Sequence, residues 1–101
     1  TIDSYEQTAY YSIAQEIVES YLKSPKSADF PSIAFNSGDI GMKKSGDIVV
    51  VQGYVDAENS FGAKIRSQYT VEFKVTDLDS FSYELIYTNI DGKTSGTYIE
   101  I

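Results

Sequence analysis

Residues 63–76 alternate between two kinds of side chain, and this pattern constrains the fold more than any other feature of the chain. A period of two is typical of a β-strand with one buried face and one solvated face. Such a strand needs further strands beside it and a second layer over its apolar face. The odd positions hold Ala63, Ile65, Ser67, Tyr69, Val71, Phe73 and Val75, and the even positions hold Lys64, Arg66, Gln68, Thr70, Glu72, Lys74 and Thr76.

The segment before this strand predicts its antiparallel partner. Residues 48–57 carry apolar side chains at alternate positions, and a hairpin loop at 58–62 joins the two strands. Gly53 has no side chain to bury, so we expect a bulky neighbour to cross over it or the strand to bulge there. The inward side chains of this strand are Val49, Val51 and Val55.

The remaining segments predict shorter strands and turns. We expect short strands at 33–35 and just before the turn signal at 45–47, and a polar turn at 76–80. Asp91–Gly92 starts the last turn, and residues 96–101 form the closing strand. After the polar turn, the predicted inward side chains are Phe81, Tyr83, Leu85 and Tyr87.

Residues 1–22 predict one amphipathic helix, because apolar side chains recur in them at helical spacing. Asp3 or Ser4 is the expected N-cap, with an acceptor three residues later that closes a capping box. Pro25 stops the helix, since the residue before a proline avoids the α region. The tyrosines divide into two groups: Tyr69, Tyr83 and Tyr87 are expected in the core, whereas Tyr5, Tyr11 and Tyr54 are the surface candidates.

These elements predict a single α+β domain over residues 1–101. One N-terminal helix packs on a curved antiparallel sheet of about four strands, because helix and strands are segregated along the chain. The arrangement resembles the cystatin-like folds, and that likeness concerns shape rather than function.

The composition excludes several chemistries. The chain has no histidine, cysteine or tryptophan, so it cannot build a thiol nucleophile, a His-based triad or a Cys/His zinc site. Acid–base catalysis would have to use Asp, Glu, Tyr or Lys, and no spacing singles out such a pair, so we expect no catalytic residue, no metal and no cofactor. The net charge is −7, from 8 basic and 15 acidic residues, and this repels a nucleic-acid backbone.

The cellular setting follows less directly from the residues. The longest apolar run, Ile48–Val51, is far shorter than the roughly 18 residues that span a bilayer. The chain begins at Thr1 rather than Met, so we expect any export signal or anchor to lie outside it. Absence of cysteine fits a reducing cytosol and, equally, an extracellular domain without disulfides.

Five residues around the central hairpin form the candidate binding surface. Pairing across the hairpin places Arg66 close to Tyr54 and Asp56, with Lys64 on the same wet face. An Asp–Arg pair here is a cross-strand ion pair or a site for an anion or a peptide. Phe61 lies in the loop that joins the two strands.

Two motifs in the chain resemble a small uncharacterised domain of Gram-positive bacterial and phage proteins. They are LKSP…FP, at residues 22–31, and GYVDAxNxFGAKxR, at residues 53–66. In that family the domain often closes a longer chain behind a lipoprotein signal, a membrane segment or a zinc ribbon. The resemblance implies an exported or membrane-anchored context and an intact hairpin around Phe61 and Gly62. On physical grounds we expect Phe61 to tuck back onto the sheet while Gly62 takes a positive φ.

Three functions remain open. The first is a non-catalytic interaction or spacer domain, whose partner would be another protein or a cell-surface component. The second is a small-ligand-binding or enzymatic domain, which predicts a tyrosine-lined cavity between the helix and the concave sheet face. The third is a cystatin-type inhibitor, which predicts exposed apolar loop tips around Phe61.

Overall fold

The computed structural model describes residues 2–101, apart from the side chain of Ser37. It shows one helix packed on a five-stranded antiparallel sheet whose strands follow chain order, so the α+β class is confirmed. The cystatin-like shape stays a prediction. The elements are α1 (Ser4–Glu19), two 3-10 turns (Pro25–Ser27 and Ser37–Asp39), β1 (Gly41–Ser45), β2 (Ile48–Glu58), β3 (Lys64–Asp77), β4 (Ser82–Ile90) and β5 (Lys93–Gly96).

Helix α1 begins at the predicted cap and ends earlier than predicted. The Asp3 carboxylate accepts from the backbone N–H of Glu6, and the Glu6 carboxylate accepts from the backbone N–H of Asp3, which completes a capping box. At the other end the backbone N–H groups of Ser20, Tyr21 and Leu22 bond to carbonyls three residues back. This 3-10 tightening ends the helix before Pro25 is reached.

The helix and the sheet enclose the main core. The alternation in β3 is confirmed in its middle, where Tyr69, Val71 and Phe73 are buried toward the helix. Phe73 makes edge-to-face contacts with Tyr10 on α1 and with Tyr83 on β4, at ring-centroid distances of 6.4 and 5.8 Å. The helix residues buried here are Ala9, Tyr10, Tyr11, Ile13, Ala14, Ile17 and Val18.

The surface position predicted for Tyr11 is wrong, whereas Tyr5 is exposed as predicted. The Tyr11 hydroxyl donates to the carbonyl oxygen of Pro31 at 2.6 Å, and its ring packs edge-on against Phe30. The connector between α1 and β1 therefore closes over this tyrosine. Burial of the side chain raises the pKa of Tyr11.

Gly53 faces the bulky neighbour that its place in a strand predicts. It pairs with Tyr69 across β2 and β3, and a Cβ atom at Gly53 would lie 2.8 Å from the Tyr69 hydroxyl oxygen. That hydroxyl is buried and has no hydrogen-bond partner. Burial raises the pKa of Tyr69.

The C-terminal residues correct two predictions. Strand β5 covers Lys93–Gly96, and the predicted strand at 96–101 is wrong, because residues 97–101 leave the sheet and lie over the face opposite α1. There Tyr98 packs on Tyr87, and the backbone N–H of Ile99 donates to one Glu72 carboxylate oxygen at 2.7 Å. Glu72 is fully buried rather than solvated as predicted, and its other carboxylate oxygen has no partner.

A β-bulge in β4 explains why its inward positions are predicted only in part. Glu72 pairs with Tyr87 and Phe73 pairs with Leu85, so Ile86 is the extra residue. The side-chain alternation reverses at this point. Tyr83 therefore faces the helix as predicted, Tyr87 lies on the opposite face, and Thr88 is buried opposite Val71. Phe81 and Leu85, also predicted to be inward, are about half exposed.

The connector before β1 contains a turn where a strand is predicted. The backbone N–H groups of Phe35 and Asn36 both donate to the carbonyl oxygen of Ser32, so residues 33–35 form a turn. Phe35 is 89% exposed. Among residues 2–101, no helix is both long and apolar enough to cross a membrane.

Glu6 also links α1 to β1 through Lys44, and this contact predicts that acid lowers the stability of the fold. The Glu6 carboxylate accepts two hydrogen bonds, one from Lys44 at 2.6 Å and one from the Tyr10 hydroxyl at 3.0 Å. These bonds lower the pKa of Glu6 from 4.5 to about 2. A carboxyl with a lowered folded-state pKa stabilises the fold fully above its unfolded pKa and loses that effect as the pH falls.

We therefore expect the stabilisation by Glu6 to be lost between pH 4.5 and about 2. Urea unfolding of wild-type protein and Glu6→Gln at a series of pH values measures it. The stability difference should be constant above this range and shrink within it. A difference that does not change with pH would contradict the ion pair.

Candidate functional site

Tyr54, Asp56 and Arg66 meet on the sheet face opposite α1, as the sequence predicts. Asp56 and Arg66 are direct partners across β2 and β3. The guanidinium of Arg66 donates to both carboxylate oxygens of Asp56, at 2.8 and 3.0 Å, and its central carbon lies 3.9 Å from the centre of the Tyr54 ring. A planar guanidinium suits both contacts, because it can form a two-pronged bond and stack at the same time.

Asp56 and Arg66 each stabilise the charged form of the other. The hydrogen bonds from Arg66 hold the pKa of Asp56 below its usual range, and Asp56 in turn raises the pKa of Arg66. Both charges are therefore satisfied by each other. The cluster links β2 to β3, and its guanidinium is paired rather than free for an anionic ligand.

Lys64 lies at the loop end of the same hairpin. It is the first residue of β3, is exposed, and pairs with Glu58, the last residue of β2. The five candidate residues thus occupy one end of the β2–β3 hairpin, where Arg66 contacts both Tyr54 and Asp56.

The side chain of Asn59 organises the hairpin loop, which we define as residues 59–63. Its amide oxygen accepts from the backbone N–H groups of Phe61 and Ala63, at 2.9 and 3.0 Å. The backbone N–H of Asn59 donates to the carbonyl of Ala63, and Gly62 takes the predicted positive φ, at 82°. Asn is suited to such bonds because its short amide can replace a backbone acceptor.

The loop presents Phe61 to solvent. Phe61 is 92% exposed, so the prediction that it tucks back onto the sheet is wrong. The Asn59 bonds fix the loop backbone in a form that directs the ring away from the core. The loop is held by two backbone–backbone hydrogen bonds and by two further bonds to the Asn59 amide oxygen, so a partner can bury Phe61 with little loss of conformational freedom.

A groove opens beside this loop, on the helix side of the sheet. It has a volume of about 390 Å³ and lies where the chain leaves α1. Its apolar walls come from Tyr21, Leu22, Ala57, Ile65 and Ile90.

Sequence reasoning missed this groove. The alternation in β3 predicts an inward Ile65, yet Ile65 is 47% exposed. The early end of α1 leaves that part of the sheet without a helix above it. Because the predicted helix reaches residue 22, the sequence gives no signal of the gap.

Asp77 and Asp91 accept hydrogen bonds from nearby backbone groups and so have local structural roles. Asp77 accepts from the backbone N–H of Asp79 in the turn between β3 and β4, and Asp91 accepts from the backbone N–H of Gln68. Within residues 2–101, no three acidic side chains lie close enough together to hold a metal ion.

Comparison with known proteins adds no relative. No protein-family model, no curated protein and no solved structure matches the chain significantly.

Proposed function

We propose that this chain is a non-catalytic interaction domain of an exported or surface-anchored bacterial protein, and that it contacts its partner through Phe61. The observation that carries the proposal is the 92% exposure of Phe61 on an organised loop. Phenylalanine is a costly residue to leave in water, and aromatic anchors supply much of the energy at protein interfaces. The bacterial and exported context rests on the resemblance of the two sequence motifs.

The hairpin behind the loop supports a docking role over a spacer role. The Arg66–Asp56 pair and the stacked Tyr54 ring brace the strands that carry the loop. A spacer needs only a stable fold and gains nothing from a braced, exposed aromatic side chain. A rigid anchor, in contrast, costs less entropy on binding.

We expect Phe61→Ser to abolish partner binding without changing the fold. The test immobilises the chain and exposes it to solubilised envelope proteins of the source bacterium, with bound proteins quantified by mass spectrometry. The matched control is Phe35→Ser, because Phe35 is equally exposed, at 89%, on another loop. At least one protein should be retained by wild type and by the control and reduced at least about tenfold with Phe61→Ser. Equal retention on all three proteins would refute the role of Phe61.

The exposure of Phe61 also favours a second candidate, a cystatin-type inhibitor that inserts a loop into an enzyme cleft. Its readout differs from that of a general interaction domain. An inhibitor lowers the rate of a cysteine peptidase at stoichiometric concentration, and Phe61→Ser should restore that rate. Partner capture without any inhibition would reject the inhibitor and support only the interaction domain.

A further inference from the structure

Three large apolar side chains are exposed around the hairpin loop. Phe61 is 92% exposed, Tyr21 48% and Ile65 47%. The groove lies between the last two, and it is also lined by Glu58, the last residue of β2, and Asn59, the first residue of the loop. An exposed aromatic side chain and an apolar groove are therefore neighbours at one end of the molecule.

The groove is not filled by its own loop. Phe61 is not among the residues that line it, and the Asn59 bonds hold the loop backbone in place. The vacant volume of about 390 Å³ is ample for an aromatic ring. A projecting side chain and a receptive groove on adjacent surfaces allow two copies to dock reciprocally around a two-fold axis, which closes the assembly at two.

The charges around the groove suit a second copy. Its rim carries Lys23 and Lys93 together with Glu58 and Asp91, so the rim is neutral although the chain has a net charge of −7. A neutral rim avoids the repulsion that two acidic surfaces of this chain would cause. At this rim each copy offers both signs to the other, and opposite charges at an interface favour correct docking.

We propose that a second copy of this chain docks at this end, with Phe61 of each copy in the groove of the other. This inference rests on the proposed function, because it uses Phe61 as the anchor, and it names the partner. The contact area at one end of a small domain is limited, so the dimer should be weak, with a dissociation constant on the order of micromolar or higher.

Sedimentation equilibrium across concentrations that bracket this range tests the dimer. Wild type and the control Phe35→Ser should form the same dimer. Phe61→Ser, which removes the anchor, and Ile65→Glu, which places a charge in the groove, should each raise the dissociation constant at least about tenfold. Tyr21→Lys is a second groove variant, at a position outside the sheet, and should weaken the dimer in the same way. Thermal unfolding checks that every variant is folded.

Mixing the two kinds of variant separates reciprocal insertion from other contacts. Phe61→Ser keeps its groove, and Ile65→Glu keeps its Phe61. A mixed pair can therefore form one of the two insertions. Labelled Phe61→Ser should bind Ile65→Glu more tightly than either variant binds itself, as measured by fluorescence anisotropy.

Three outcomes would overturn the inference: a wild-type protein that is monomeric throughout, a dimer that survives Phe61→Ser, or a dimer that survives both groove variants. These outcomes are distinct from failure of the proposed function. A monomer that still retains an envelope protein through Phe61 would support the interaction domain and reject the second copy as its partner. Loss of the dimer in Phe61→Ser and both groove variants, with tighter binding in the mixed pair, would support both.

Discussion

Replacing Phe73 by alanine is expected to lower the free energy of unfolding by about 3–5 kcal/mol. Phe73 is fully buried and lies between Tyr10 on the helix and Tyr83 on β4. Its removal takes away buried apolar surface and leaves a cavity that the β-sheet backbone cannot collapse to fill. Since domains of this size are stable by about 5–15 kcal/mol, the variant should lose a large part of its stability.

Urea unfolding followed by circular dichroism measures this effect. The matched control is Phe61→Ala, which deletes the same ring from a site that is 92% exposed and should change the stability by less than about 0.5 kcal/mol in the monomer. Similar losses in the two variants would show that Phe73 is not the centre of the helix–sheet core.

Replacing Gly53 by valine is expected to destabilise the protein by about 1–3 kcal/mol, although valine is a better strand former than glycine. A Cβ atom at Gly53 would lie 2.8 Å from the hydroxyl oxygen of Tyr69 and 3.0 Å from the ring carbon that bears it. Tyr69 is 3% exposed and packs edge-on against Phe30, so its ring cannot swing into solvent. The added side chain must therefore displace part of the core.

The same substitution at another strand glycine should change the stability in the opposite direction or not at all. Gly41→Val is the matched control, because Gly41 also lies in a strand and its Cβ would meet only the Gln52 side chain, at 3.8 Å. That variant should be neutral or more stable. Combining Gly53→Val with Tyr69→Leu should cost less than the sum of the single changes, since the second change removes the obstructing ring. Additive losses would show that the two residues do not touch.

Features that depend on neighbours in the sequence are predicted well. The capping box needs only Asp3 and Glu6, and the strand at Tyr69–Phe73 is evident from its own alternation. The contact of Arg66 with Asp56 and Tyr54 follows from hairpin pairing, because the loop length sets which residues face each other. Each of these rests on geometry that extends over a few residues or one hairpin.

Features that depend on distant segments are missed. Tyr11 is buried because Pro31 accepts its hydroxyl, and Glu72 is buried because residues 97–101 pass over it. The residues around Tyr11 and Glu72 in the sequence do not reveal these distant partners, and their hydrophobic pattern predicts that both side chains are solvated. The groove beside Ile65 is missed for the same reason, since it depends on where the helix ends. The exposure of Phe61 differs, because it depends on the nearby Asn59 side chain that holds the loop.

The extra residue in β4 has a consequence for how the sheet assembles. A strand with uninterrupted alternation directs one kind of side chain inward when it pairs regularly with its partner. In β4 the alternation reverses at Ile86, so Tyr83 and Thr88 both face the helix only when Ile86 forms the bulge. A regular pairing of β3 and β4 without the bulge would turn one half of β4 outward. The sequence of β4 thereby disfavours regularly paired, bulge-free hairpins during folding.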